Sequence, residues 1–458
     1  MKILILGAGQ IGSNLAEHLA HEGNEITLVD IDKERLDALN MSLDIRTVEG
    51  KASHPSVLRS AGCQDADLLI AVTNSDEINM LACEIANTLF NTPKKIARLR
   101  DREYLACQEL YSKSAINVDV VISPEQLVTD SIARLIEFPG ALQVLDFADG
   151  QVQLVAVQAV AGGFLVGQAL SALHDAIRDS DIRVAAIYRD GEAITPQGDT
   201  VIQPKDEVFF IASRERIRRV MGELRKTESA YKRVFIAGGG NIGERLARQI
   251  QADYHVKLVE IQEKRCIDLA EQLTKTVVLH GSATRKQLLS EENIHEVDLY
   301  CALTNDDEDN IMSSLLAKKL GAKKVLTLIT DPAYVDLIQG GPIDIALSPQ
   351  QVTIGSILAH IRRGDFAKVH SLRRGAAEAI EAVVHGDSRS SRVVGRKIRE
   401  IGLPKGAMIA AIVRDDEVIM GHGETVIESE DHVILFLADK YRVREVERLF
   451  QVGLPYFN

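Results

Sequence analysis

The chain repeats itself. Residues 2–12 read KILILGAGQIG, and residues 233–243 read RVFIAGGGNIG. Further along, Leu28-Val29-Asp30-Ile31 matches Leu258-Val259-Glu260-Ile261, and Asp67-Leu68 matches Asp298-Leu299. Thr73-Asn74-Ser75-Asp76-Glu77 matches Thr304-Asn305-Asp306-Asp307-Glu308, with Asn79 against Asn310. A second set follows in each half: Ala185-Ala186-Ile187 and Arg189-Asp190 against Ala410-Ala411-Ile412 and Arg414-Asp415. Gly198, Thr200, Ile202, Asp206 and Val208 likewise match Gly423, Thr425, Ile427, Asp431 and Val433. Order is kept throughout, with an offset of about 231 in the first set and 225 in the second, so the architecture is A-B-A′-B′, and any fold must build the same two-part unit twice. The join falls in the polar stretch RKTESAYK, residues 225–232.

Unit A alternates short apolar runs with helical patterns. Ile3–Leu6, Glu25–Val29, Ile45–Val48, Leu68–Val72 and Ile96–Leu99 read as strands. Gln10–His21, Lys33–Met41, Val57–Ala61 and Ile78–Leu89 read as the helices between them. Such alternation predicts an α/β domain, a doubly wound Rossmann-like parallel sheet with helices on both faces. Unit B is a smaller α+β domain, with strands at Gln151–Val160, Arg183–Arg189 and Glu207–Ala212 and helix at Leu165–Ile177. SPEQLVTDSIARLIEF, from Ser123, and SPQQVTIGSILAHIRR, from Ser348, begin with Ser then Pro, an N-cap and first-turn signature. Each reads as a crossover helix leading from A to B, with Leu127, Ile132, Leu135 and Ile136 as an apolar face for a partner. The expected division is 1–123 for the first Rossmann domain, 124–142 for its crossover helix and 143–227 for its small domain. It repeats as 232–348, 349–367 and 368–453.

Composition excludes several functions. With no Trp, 4% aromatics and a formal charge of −13, the chain lacks the stacking platforms and basic footprint of a nucleic-acid binder. No run approaches the roughly 18 apolar residues of a membrane span. The five cysteines lie far apart with no C-x-x-C, which reads as reduced thiols in a cytoplasmic protein. A search for catalytic groups finds no H-x-x-x-H pair, G-x-S-x-G elbow or Walker lysine. His174 and Tyr188 in B have no echo in B′, where His385, His422 and His432 match no His in B. The reading is nucleotide binding without catalysis and without a metal.

Gly7-Ala8-Gly9-Gln10-Ile11-Gly12 follows a strand and opens a helix. In that context the first Gly allows a tight turn, the second admits a pyrophosphate to the backbone, and the third lets helix and strand pack closely. The free N–H groups of the helix then face the phosphates. Asp30 ends the second strand, where a carboxylate accepts hydrogen bonds from ribose hydroxyls and repels a 2′-phosphate, favouring NAD(H) over NADP(H). Gly238-Gly239-Gly240-Asn241-Ile242-Gly243 repeats the turn, with Glu260 in the acidic place. Thr73-Asn74 and Thr304 follow the fourth strand of each unit, at the ligand-bearing carboxyl ends. Arg98 sits in the apolar run KIARL, where it either faces the crevice or lies on an edge strand in solvent. Aligning Lys94-Lys95-Ile96 with Lys323-Lys324-Val325 places Thr327 opposite it, so the two sites are expected to be unequal.

GAGQIG with Asp30, the Gly50-Lys51-Ala52 turn and Thr73-Asn74-x-Asp76 resemble the KTN/RCK domain, the regulator of potassium conductance. The I-x-R-D-G-E…P-x-G-x-T-x-I…D-E-V pattern from Ile187 to Val208 resembles the RCK C-terminal domain, and two tandem copies span nearly the whole chain. The resemblance implies a peripheral regulatory subunit that binds NAD(H), or ATP or ADP, in the Rossmann crevice. It implies a homotetramer forming an eight-unit ring on a Trk-type potassium-translocating membrane subunit, peripheral at the inner face of the cell membrane. Family members often have Asp where this chain has Lys51 and Ser282.

Overall fold

The computed structural model describes residues 1–451 apart from 112–114, 164–165, 173–181, 195, 218–220, 222–229, 332–333, 335–337, 339–340, 362–365 and 373–376. Much of the expected helix Leu165–Ile177, with His174, and part of the 225–232 join lie outside the described residues.

The first unit A is a six-stranded parallel sheet. Its strands are β1 (Lys2–Leu6), β2 (Glu25–Asp30), β3 (Arg46–Glu49), β4 (Leu68–Ala71), β5 (Lys94–Arg98) and β6 (Val120–Ile122), in the order β3-β2-β1-β4-β5-β6. Ile3–Leu6 and Leu68–Ala71 are buried on both faces, which is why they read as unbroken apolar runs. The helices Gln10–His21, Lys33–Ser42, Pro55–Ser60 and Asp76–Phe90 fill the crossovers. A helix-capping carboxylate or hydroxyl starts two of them: Asp32 accepts from Arg35 N and Ser75 Oγ from Ile78 N. The sixth strand is too short to show in the sequence, and it decides the setting of Arg98. Arg98 is not on an edge in solvent; β6 pairs with it, and Arg98 is 6% exposed.

Unit B is a five-stranded antiparallel sheet: β7 (Ala141–Phe147), β8 (Val152–Gln158), β9 (Arg183–Arg189), β10 (Glu192–Ile194) and β11 (Glu207–Ser213), in the order β10-β9-β11-β8-β7. The second half repeats both layers. Its parallel sheet holds β12 (Arg233–Ala237), β13 (His255–Glu260), β14 (Val277–His280), β15 (Leu299–Ala302), β16 (Lys324–Leu328) and β17 (Ile345–Leu347), in the order β14-β13-β12-β15-β16-β17. Its small sheet holds β18 (Phe366–Leu372), β19 (Ala377–Val383), β20 (Ala407–Arg414), β21 (Glu417–Met420) and β22 (His432–Leu437), in the order β18-β19-β22-β20-β21.

The halves exchange partners. Val128, Ile132, Leu135 and Ile136 of the first crossover helix (Pro124–Glu137) share a core with the first small sheet and with Val234, Ile236 and Leu246 of the second Rossmann sheet. Ile354, Ile357, Leu358 and Ile361 of the second crossover helix (Pro349–Ile361) share one with Ile3, Ile5, Leu15 and Leu19 of the first. Each small domain is thus carried to the other repeat's Rossmann unit. A further core, including Phe147, Phe209 and Phe436, clamps the two small sheets face to face. The partner expected for the crossover helices is the other half of the same chain.

Candidate nucleotide crevices

β1 runs into Gly7, which turns left-handed at φ +106°, a conformation open to Gly without strain. A Cβ on Gly7 would lie 3.0 Å from the Thr73 backbone, and one on Gly12 would lie 1.9 Å from the Gly7 carbonyl. These two glycines are therefore demanded by packing. Gly9 differs: a Cβ there meets nothing within 4 Å. Gly9 is the N-cap of Gln10–His21 and supplies no side-chain cap, so the first-turn N–H groups of Gln10, Ile11 and Gly12 have no intrahelical acceptor. An open surface, bare N–H groups and a positive helix end together make an anion cradle. The second turn copies it: Gly238 stands at φ +105°, a Cβ on it would lie 2.9 Å from Thr304 N, a Cβ on Gly243 would lie 1.9 Å from the Gly238 carbonyl, and one on Gly240 would meet nothing within 4 Å. Asn241 starts the helix Asn241–Ile250, and Ile242 is half-buried behind it.

The acidic residues sit at the rim of each turn. Asp30 Oδ2 accepts from Ala8 N at 2.5 Å and Oδ1 from Asp32 N at 2.9 Å. Glu260 Oε2 accepts from Gly239 N and Oε1 from Gln262 N, both at 2.8 Å. Each carboxylate is thus fixed beside the phosphate turn. Directly after them, Ile31 and Ile261 are 70% and 65% exposed. An apolar side chain projecting at the carboxyl end of the second strand offers a purine a face. Sequence reasoning missed this pair, although the signal, an isoleucine following the acid, was present in both repeats.

Thr73 is half-buried and Asn74 exposed at the end of β4. Thr73 N and Oγ1 both donate to Asn79 Oδ1, at 3.0 and 2.7 Å, and Asn79 Nδ2 donates to Arg98 O at 2.8 Å. Thr304 and Asn310 repeat this, with Asn310 Nδ2 donating to Leu328 O at 3.1 Å. Asp76 is occupied elsewhere: its Oδ2 accepts from Arg100 N and Asp101 N, tying the loop after β5 to the helix.

These contacts correct the expected pairing of Arg98. Ala71 lies beside Ala97 and Ala302 beside Thr327, so Thr327 is the counterpart of Ala97, and Leu328 that of Arg98. The lysine pairs that suggested otherwise are shifted by one residue, because Lys94 and Lys324, not Lys323, begin the two strands. Arg98 Nη2 donates to Thr73 O at 3.0 Å, and the Thr73 backbone packs against Gly7, while the Leu328 side chain offers nothing polar. Burial, with nearby Arg100, pushes the Arg98 pKa down to about 10, so it stays cationic at neutral pH.

A hollow of about 480 Å³ opens at the opposite, amino ends of the first sheet, lined by Lys2, Asn24, Thr27 and Arg46 among others. It is not lined by the Gly7–Gly12 turn or by the start of the helix Gln10–His21. In the second repeat Lys257 stands where Thr27 does and reaches Glu292 at 2.7 Å. Lys51 is exposed, and Ser282 Oγ lies 2.8 Å from Thr284 Oγ1. Among the described residues, no group of three or more His, Cys, Asp or Glu could hold a metal, and no helix is long and apolar enough to cross a membrane.

The TrkA-N domain model matches residues 3–124 and 234–349, and the TrkA-C domain model matches 154–225 and 388–451. A protein of Halomonas elongata described as Trk system potassium uptake protein TrkA is 63% identical over 457 residues, covering all of both chains. This chain belongs to the TrkA family. A Vibrio alginolyticus TrkA protein is 57% identical over 458 residues, again covering all of both. Among solved structures, the GsuK RCK domain matches with a TM-score of 0.62 at 19% identity, covering 97% of this chain and 94% of that one. At that identity the likeness is one of fold, and it is the fold of tandem Rossmann and small-domain pairs.

Proposed function

We propose that the chain is the nucleotide-responsive regulatory subunit of a Trk-type potassium uptake system. Its ligand is NAD(H), or ADP or ATP, held with its phosphates on Gly7–Gly12 and Gly238–Gly243 and a ribose on Asp30 or Glu260. Thr73, Asn74, Thr304 and Arg98 border the phosphates. The observation that carries this reading is the pair of open, uncapped helix starts at Gly9 and Gly240, in a chain whose relatives are named for potassium uptake. The neighbours include a GsuK channel described as bound to NAD and a GsuK structure described as bound to ADP, which supports the same chemistry.

In this reading the chain performs no catalysis. It has no membrane span of its own among the described residues, and it reaches the inner face of the cell membrane through the potassium-translocating subunit. The six segments expected from the sequence act as two Rossmann units, two crossover helices and two small domains, and four chains close an eight-unit ring. A ligand moves such a ring only by binding one of its shapes better than the other. The test is calorimetric titration of the purified chain with NADH, NAD, ADP and ATP, followed by potassium flux through the reconstituted membrane subunit with and without the bound nucleotide. Flux unaltered by any nucleotide that binds overturns the regulatory reading; oxidation of a substrate by chain plus NAD would favour an oxidoreductase.

A further inference from the structure

The halves meet along two seams, where each crossover helix lies on the other repeat's Rossmann unit, and again at the apolar clamp between the small sheets. Into that clamp the second repeat puts a carboxylate. Glu381 of β19 is 1% exposed and shares its strand face with Ala377 and Ala379, both members of the clamp core. Its Oε2 accepts from Ala148 N of the first repeat at 2.9 Å, and its Oε1 lies 2.6 Å from His432 Nδ1 of β22. Ala148 belongs to the turn between β7 and β8. There Ala148 and Asp149 stand at φ +44° and +51°, a region that disfavours residues with a Cβ. The second repeat grips this turn twice, through Glu381 and through Asp416, whose Oδ1 accepts from Gln151 Nε2 at 3.3 Å.

A carboxylate in an apolar clamp is unfavourable unless it is paired. Here the pairing group is an imidazole, and histidine changes charge between about pH 5 and 8. Other charged groups face the pair from each element around it. Lys368 of β18 stands beside Glu381 in the sheet register, and Asp149 follows Ala148 in the turn. Before β22, Glu430 Oε1 lies 2.8 Å from His385 Nδ1; that hydrogen bond, with the nearby His432, holds the Glu430 carboxyl below the usual range. His370 of β18 packs edge-on against Phe147, and burial pushes its pKa down to about 4, so it stays neutral between pH 5 and 8. The first repeat has no copy of the cluster: Ala156, Glu207, Lys205 and Val160 stand where Glu381, His432, Glu430 and His385 stand.

We infer that Glu381 and His432 form a proton-operated latch between the small domains, which grips the Ala148 turn most firmly when His432 is charged. With His432 neutral, the buried carboxylate keeps its two hydrogen bonds but loses its counter-charge. With His432 charged, the pair is neutral as a whole and Glu381 stays in place as acceptor for Ala148 N. The engaged latch therefore binds a proton that the released one gives up. By linkage, falling pH favours the engaged form, until the carboxylate itself is protonated. Each small domain rests on the other repeat's Rossmann unit, so the latch bears on how firmly the two halves are held together. It does so without touching either crevice, and the inference stands apart from the nucleotide reading.

The experiment is hydrogen–deuterium exchange on the full chain without nucleotide, read on peptides covering Phe147–Gln151 at pH 6 and pH 8 and corrected for the intrinsic exchange rate. Protection in the wild type should be about fivefold or more higher at pH 6, because a charge-assisted hydrogen bond is roughly twice as strong as a neutral one. His432→Gln keeps a donor that does not titrate, and should bring the two pH values within about twofold of each other. His385→Gln should leave the wild-type ratio in place. Should His432→Gln fail to fold, Glu381→Gln, which keeps an acceptor for Ala148 N without the charge, is read the same way. Equal protection at both pH values in the wild type overturns the latch. A ratio that survives His432→Gln, even with lower protection throughout, marks a purely structural contact and overturns it as well. A ratio abolished by His385→Gln assigns the titration to the Glu430 pair instead and overturns the role of His432.

Discussion

Two glycines of the same turn should respond oppositely to substitution. Gly12→Ala places a Cβ 1.9 Å from the Gly7 carbonyl, where ordinary contact needs about 3.4 Å or more. The helix Gln10–His21 must then move by over an ångström against Ile5 and the rest of its core. Overpacking of this kind costs about 1–3 kcal/mol, occasionally more. A Cβ at Gly9 meets no atom within 4 Å, and the carboxylate of Gly9→Asp stands at the N-cap of a helix that has no side-chain cap. Its stability should be unchanged or raised by a few tenths of a kcal/mol. The same carboxylate stands where a phosphate would lie. Two unit charges 4 Å apart at an effective dielectric of 20 repel by about 4 kcal/mol, so affinity should fall by roughly 30- to 1000-fold. Urea unfolding and nucleotide calorimetry on both variants give the answer. Gly9→Asp with wild-type affinity, or Gly12→Ala with wild-type stability, would refute the division of roles.

Asp30 should make the first crevice prefer NADH to NADPH, and Asp30→Ala should narrow the ratio; equal wild-type affinities measured by fluorescence titration would sink this. Arg98→Leu copies Leu328 and should weaken the tighter nucleotide site by about 10- to 150-fold, the worth of a charge-assisted hydrogen bond, leaving two nearly equal sites by calorimetry. Burial would raise the pKa of Glu244, which is 4% exposed, but hydrogen bonds from Arg248, Arg265 and Arg102 hold it below the usual carboxylate range. A depressed carboxylate stabilises the fold above its unfolded pKa of about 4.3 and loses that stability as pH falls through the lower folded value. Urea unfolding between pH 7 and 3 should therefore show a shallower acid loss for Glu244→Gln, starting from a pH 7 stability about 2–3 kcal/mol below wild type.

Local features of the crevice were legible because the chemistry demands them locally. A glycine needed for positive φ, such as Gly7, or for close approach, such as Gly12, is written at fixed spacing, and the duplication wrote it twice. The long strands, buried on both faces, announced themselves as apolar runs. Short strands did not: Val120–Ile122 and Ile345–Leu347 hold three residues each, and without β6 the burial of Arg98 was undecidable. The Thr327 pairing failed because a pair of lysines in each repeat can be matched in either of two registers, and only the sheet chooses. Contacts that cross the repeats, such as Arg102 with Glu244 or Asn14 with Gln350, join residues far apart in sequence and leave no periodic trace.

Duplication within one chain makes such divergence possible. In a dimer of identical units both seams would carry the same residues, and a change at one would be a change at both. Here the counterpart of Glu244 is Ser13, whose Oγ donates to Ala8 O at 2.9 Å inside its own turn. Glu244 instead gathers Arg102 across the seam and Arg265, whose Nε donates to Gly239 O at 2.9 Å. The second glycine turn is therefore braced through a buried carboxylate by a residue four positions beyond Arg98, whereas the first turn meets the other repeat through a neutral amide, Gln350 Nε2 donating to Gln10 Oε1. The loop after β5 is thus tied to the second turn through Arg102, Glu244 and Arg265. The two crevices are alike in fold and unlike in what they are wired to.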